Sequence, residues 1–95
     1  MLRKQYIKSR DAMKVTFTVD FAENANQVEV AGDFNDWNPQ PLKKLKSGQH
    51  KATFELEPGQ SYQYRYRIDG AWQNDWQADD YIPNGFGQDN SVVFC

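Results

Sequence analysis

Ninety-five residues, of which 39% are apolar and 15% aromatic, suffice for one domain with a single core and exclude a disordered chain. A formal net charge of −2 argues against a dedicated nucleic-acid binder, whose phosphate contacts need a basic surface. No apolar run approaches the roughly 20 residues of a membrane span, and a single cysteine, Cys95, allows neither an internal disulfide nor a cysteine metal cluster.

Met1-Leu2-Arg3-Lys4 leads into polar residues rather than the apolar segment of a signal peptide, so a cytoplasmic location is expected. Residues 1–12 show no clear period and read as an N-terminal extension, with Tyr6 and Ile7 suited to a short edge strand. Residues 13–95 read as the domain. From Met13 the alternation is strict: Val15, Phe17, Val19 and Phe21 on one side, Thr16, Thr18 and Asp20 on the other. That is a half-buried strand. Residues 22–26 are a polar connection, and residues 27–31 form the next strand with Val28 and Val30 inward.

Residues 50–57 alternate again, with Ala52, Phe54 and Leu56 inward, and Pro58-Gly59 breaks the run. Residues 61–69 give the longest clean strand: Tyr62, Tyr64, Tyr66 and Ile68 inside, Gln63, Arg65 and Arg67 outside. Asp69-Gly70 is a favoured two-residue hairpin turn, because both positions must tolerate positive φ. Ala71 and Trp72 begin the return, and residues 91–95 are the last strand. Short strands separated by turn signals imply an antiparallel sandwich or barrel. Residues 73–90 hold turn formers and few apolar side chains, a connection uncommon in a small domain unless it works or is disordered. Arg3, Lys4, Lys8, Arg10 and Lys14 make one end basic, and Asp69, Asp75, Asp79, Asp80 and Asp89 make the other acidic; both read as solvated.

The most informative stretch is Gly32-Asp33-Phe34-Asn35-Asp36-Trp37-Asn38-Pro39, two large aromatics inside a cluster of turn formers. We read Phe34 as the plug at one end of the core and Trp37 as a ring offered to a ligand. All three tryptophans lie in or beside loops, outside the alternating runs where core demand would explain them. A sugar ring has an apolar C–H face, which a flat aromatic covers, and an edge of hydroxyls, which amide or guanidinium groups satisfy. Trp76 reads as a packing residue, Phe86 as either a loop plug or a ligand contact, and Asn90 as either a strand cap or a ligand contact.

Three segments carry a resemblance to a known family: Val30-Ala31-Gly32-Asp33-Phe34-Asn35-Asp36-Trp37, Tyr64-Arg65-Tyr66-Arg67-Ile68-Asp69-Gly70-Ala71-Trp72, and Asn84-Gly85-Phe86-Gly87-Gln88-Asp89-Asn90-Ser91-Val92-Val93. In this order they resemble carbohydrate-binding module family 48. It includes the glycogen-binding domain of AMP-activated protein kinase β subunits and the isoamylase-type early set domains of branching and debranching enzymes. The resemblance implies an all-β, immunoglobulin-like (early set) antiparallel β-sandwich that binds α-1,4-glucan without catalysis. By the same resemblance the carbohydrate-binding residues are Trp37, Arg65, Trp72, Phe86 and Asn90. Arg65 stands where relatives commonly carry Lys, which keeps the charge and changes the donor geometry.

Catalysis finds little support. Asp79 and Asp80 are adjacent, so on a strand they point to opposite faces and cannot flank one glycosidic bond. His50 has no nucleophile arrangement near it. Asp75, Asp79 and Asp80 match no calcium-loop spacing, so no cofactor or metal is expected. The expected partner is an α-glucan polysaccharide or maltooligosaccharide, with no nucleic acid and no membrane. The competing expectation is a protein-interaction module of the same fold that docks on a glucan-metabolising enzyme.

Overall fold

The alternating runs become strands, and the turn formers between them reverse the chain each time, so two antiparallel sheets result. The computed structural model describes residues 2–85 and 87–95. Strands β1 (Leu2–Ile7), β2 (Ala12–Val19), β5 (Lys43–Lys44) and β6 (His50–Leu56) form one sheet in the order β1-β2-β6-β5. The other comprises β3 (Val28–Gly32), β4 (Gln40–Pro41), β7 (Ser61–Ile68), β8 (Ala71–Gln73), β9 (Asp80–Pro83) and β10 (Asp89–Phe94). Its order is β4-β3-β7-β10-β9, with β8 pairing on β7 beyond the reach of β10. The architecture is the all-β, immunoglobulin-like early set sandwich.

The core lies between the sheets. Val15, Phe17 and Val19 of β2 face Val28, Val30, Tyr64, Tyr66 and Val93 of the other layer, all almost wholly buried. Phe17 is its centre, with ring centroids 5.2 Å from Phe34, 5.7 Å from Phe54 and 5.0 Å from Tyr64. Such pairs contribute about 0.5–1.5 kcal/mol each beyond their area burial. Phe34 therefore does plug one end of the sandwich, as its place in the motif suggests.

The Asp69-Gly70 turn forms with both residues at positive φ, 48° and 84°, and sets Ile68 opposite Ala71. The Asp69 carboxylate also accepts the N–H groups of Asn26 (3.0 Å) and Gln27 (2.9 Å), tying the hairpin to the approach of β3. The same hairpin directs Arg67 and Trp72 outward, opposite one another.

Several expectations need correction. Phe21 continues the alternation of β2 in sequence, yet the ladder ends at the Val19–His50 pair and Phe21 emerges 42% exposed. Trp76 does not pack; it is 72% exposed. Residues 73–90 are not one irregular connection, since β9 pairs with β10 in register from Asp80–Val92 to Pro83–Asp89. The inward role in that segment falls to Asp75. Its side chain is buried, accepting the hydroxyls of Tyr64 (2.8 Å) and Tyr66 (3.2 Å) on Oδ2 and the Gln77 N–H (2.9 Å) on Oδ1. Its own N–H donates to Ser91 Oγ at 2.9 Å. A carboxylate survives in this apolar interior because hydrogen bonds satisfy it. Burial chiefly, with Asp75 adding to it, pushes the ionisation of both tyrosines well above the usual phenol range.

Candidate functional site

Two backbone features carry the outer face of the β3–β7 sheet. The first is the loop after β3. Gly32 closes that strand, and its N–H donates to Asn35 Oδ1 (3.0 Å) while Asn35 Nδ2 donates back to the Val30 carbonyl (3.3 Å). Residues Asp33–Asn35 make a single 3₁₀ turn that swings Phe34 inward. A Cβ on Gly32 would lie 2.6 Å from the Gln63 carbonyl and 2.8 Å from Tyr64 Cβ, so only glycine lets the loop seat against β7.

The chain then passes through two successive left-handed residues, Asp36 (φ 56°) and Trp37 (φ 58°). For a bulky side chain that conformation is a genuine outlier, costing about 1–3 kcal/mol. Local bonds hold it. The Trp37 N–H donates to the Gly32 carbonyl at 2.9 Å, and the indole Nε1–H donates to Asp33 Oδ1 at 3.0 Å. The other oxygen of Asp33 accepts the Gln63 N–H at 2.8 Å. One carboxylate thus joins the ring to β7 and fixes the angle at which the indole stands.

The second feature is the outer row of β7 with its flanking strands. The Arg65 guanidinium is held on both sides, Nε to Asn74 Oδ1 (3.1 Å) and Nη1 to Gln88 Oε1 (2.7 Å). Arg67 pairs with the buried Glu29 (2.9 Å), and its guanidinium carbon lies 5.7 Å from the centre of the Trp72 ring. This cation–π contact, of about 0.5–1 kcal/mol at an exposed site, keeps Trp72 over the sheet while leaving it 42% exposed. Asn90 sits in β10, donating to Gln63 Oε1 (3.1 Å) and accepting from Asn84 (3.3 Å).

These groups converge on one open cleft of about 600 Å³, lined by Trp37, Arg65, Trp72, Asn84, Gln88 and Asn90. Four residues singled out from the sequence therefore share one concavity, and the fifth, Phe86, lies outside the described residues. Asn84 and Gln88 escaped the sequence reading. They meet because the Asn84 N–H donates to the Gln88 carbonyl (3.0 Å) across a tight loop with Gly85 and Gly87 at positive φ. The Asn84-Gly85 dipeptide is the turn signal that would have indicated it. Asp33 was seen only as a turn former, because its bond to an indole four residues on has no signature in sequence.

The lining combines aromatic faces with amide and guanidinium donors and amide acceptors. It offers no nucleophile paired with a base, and among the described residues no group of three His, Cys, Asp or Glu side chains is arranged to hold a metal.

The family model described as "Glycogen recognition site of AMP-activated protein kinase" matches residues 15–93. The chain belongs to this family. It is a carbohydrate-binding domain of the family-48 type that its motifs resemble. Over 60 residues it is 45% identical to a 1,4-alpha-glucan branching enzyme GlgB of Deinococcus radiodurans, covering 60% of this chain and 8% of that enzyme. Over 55 residues it is 38% identical to the GlgB of Salinibacter ruber, covering 55% and 9%. The chain thus spans less than a tenth of each branching enzyme. Among solved structures, the apo pullulanase of Paenibacillus barengoltzii superposes with a TM-score of 0.58 at 19% identity, over 98% of this chain and 14% of the enzyme. A mutant of that pullulanase complexed with maltotriose gives 0.57 over the same shares. Both share its fold.

Proposed function

We propose that this chain is a non-catalytic binding module for α-1,4-glucans, glycogen, starch or maltooligosaccharides, and that Trp37 and Trp72 form its platform. The observation that carries this reading is the convergence of both indoles, Arg65 and Asn90 on one cleft. Each ring stacks on one glucosyl unit, and the guanidinium and the amides of Asn84, Gln88 and Asn90 meet the hydroxyl edge. Each stacking contact removes roughly 100 Å² from water, which at about 25 cal/mol per Å² is about 2.5 kcal/mol. Two such contacts only modestly exceed the entropic cost of association, so an oligosaccharide binds on the order of micromolar to millimolar. A polymer is held more tightly where the domain is repeated or linked to others.

Two features keep the complex inexpensive to form. Arg65 is already oriented by Asn74 and Gln88, and Trp37 by Asp33, so little side-chain freedom is lost on binding. Native electrophoresis with and without glycogen tests the reading. Wild type is retarded, while Trp37→Ala and Trp72→Ala are each retarded far less and Trp72→Ala keeps its melting temperature. Equal mobility of wild type in both gels would refute it.

A further inference from the structure

The exposed Trp76 and Phe21 stand apart from that cleft. They line one concavity of about 170 Å³ with Asp20, Asp75 and Gln77, which adjoins a larger cleft of about 620 Å³ sharing Asp20 and Phe21. Neither has a lining residue in common with the Trp37–Trp72 cleft. We propose that the Phe21–Trp76 rim is a second saccharide subsite, in which Trp76 stacks on a sugar ring and the polar groups of the adjoining cleft take its hydroxyls.

The exposure of Trp76 does not come from slack backbone. Asp75 before it is bound to two core tyrosines and to Ser91, and the Gln77 N–H after it bonds to Asp75. An indole whose backbone is pinned on both sides and which is left 72% exposed is presented to solvent beside Phe21. Among the described residues its ring N–H has no hydrogen-bond partner, whereas that of Trp37 is engaged by Asp33.

The lining selects the ligand class. No Lys or Arg lines either concavity, and the carboxylates that do line them repel a phosphate or another anion. Carboxylates of Asp20, Glu23 and Asp69 accept hydrogen bonds, while the amides of Asn24 and Gln73 both donate and accept. A hydroxyl edge needs both kinds of partner; a cationic peptide needs acceptors alone. The choice of an α-glucan as the saccharide rests on the function proposed above.

Each tryptophan gives one indole N–H signal in a nitrogen-edited proton spectrum, so titration of the full chain with maltotriose reads the two sites separately. The Trp76 signal is expected to shift saturably in wild type and to keep doing so in the Trp37→Ala/Trp72→Ala variant. Adding Trp76→Ala to that variant weakens the remaining binding about tenfold or more. If the double variant fails to fold, Trp72→Ala alone, which removes an exposed ring, takes its place. A Trp76 signal that stays still while those of Trp37 and Trp72 move overturns the second subsite and leaves the first cleft standing. The reverse pattern supports the second and refutes the first; no movement of any indole refutes both. Movement of the Trp76 signal on dilution without sugar, or with an oligo-arginine peptide and not with maltotriose, makes the rim a protein contact and overturns the proposal.

Discussion

Two loops of this domain carry a tryptophan behind an anchored aspartate, and they use the carboxylate in opposite ways. In the loop after β3, Asp33 bonds the indole itself and ties it to β7, so the ring is half-buried and its angle is set. In the loop after β8, Asp75 turns inward to two tyrosine hydroxyls and leaves the neighbouring indole without a hold. The first arrangement spends a carboxylate on orientation of a side chain, the second on location of a backbone. It follows that losing Asp33 should hurt recognition more than folding, and losing Asp75 the reverse.

The largest effect is expected from Asp75→Ala. It orphans the buried hydroxyls of Tyr64 and Tyr66, at about 1–3 kcal/mol each, so unfolding in urea should show a loss of about 2–6 kcal/mol. A variant as stable as wild type would remove Asp75 from the fold's support. High pH attacks the same cluster. Burial foremost raises the pKa of Tyr64 and Tyr66 in the folded state, so their protonated forms contribute stability fully below the ordinary phenol value of about 10. That contribution is lost as pH rises above it, by about 1.4 kcal/mol per unit for each phenol. Urea melts at about pH 9 and about pH 11 should therefore differ by roughly 3 kcal/mol, and superimposable curves would contradict the burial of these hydroxyls. The smallest change in stability is expected for Asp33→Ala, about 1–3 kcal/mol for the lost bonds to Gln63 and Trp37. Its glycogen retardation should nevertheless fall as far as that of Trp37→Ala, and full retardation would show that Trp37 needs no tether.

The strand that carries the site was plain in the sequence. Tyr62, Tyr64, Tyr66 and Ile68 alternate with Gln63, Arg65 and Arg67, and Asp69-Gly70 can only turn, so the outward row and the position of Trp72 follow from period and turn chemistry alone. Phe21 shows where that logic stops: the alternation names a side chain's face but not the point at which the neighbouring strands end. Trp76 fails for a different reason. Hydrophobicity argues that the larger residue packs, yet the inside place goes to Asp75, whose tyrosine partners lie 9 and 11 residues upstream. The left-handed backbone of Trp37 and the burial of Glu29 beneath Arg67 likewise depend on contacts distant in the chain or atypical of the residue type. Turn composition marked the first loop as special without revealing which side chains hold it.

Gly32 has an extended backbone, with φ at −170°, that any amino acid adopts without strain. Its place is reserved instead by the Gln63 carbonyl and the Phe34 ring, which would lie 2.6 and 2.8 Å from an added Cβ. A library randomised at this codon and screened only for soluble expression should return glycine almost alone, alanine included among the losers. A researcher reading such a library would assign the site to turn conformation, when what it records is the clearance left by the Gln63 carbonyl, the Phe34 ring and Tyr64 Cβ.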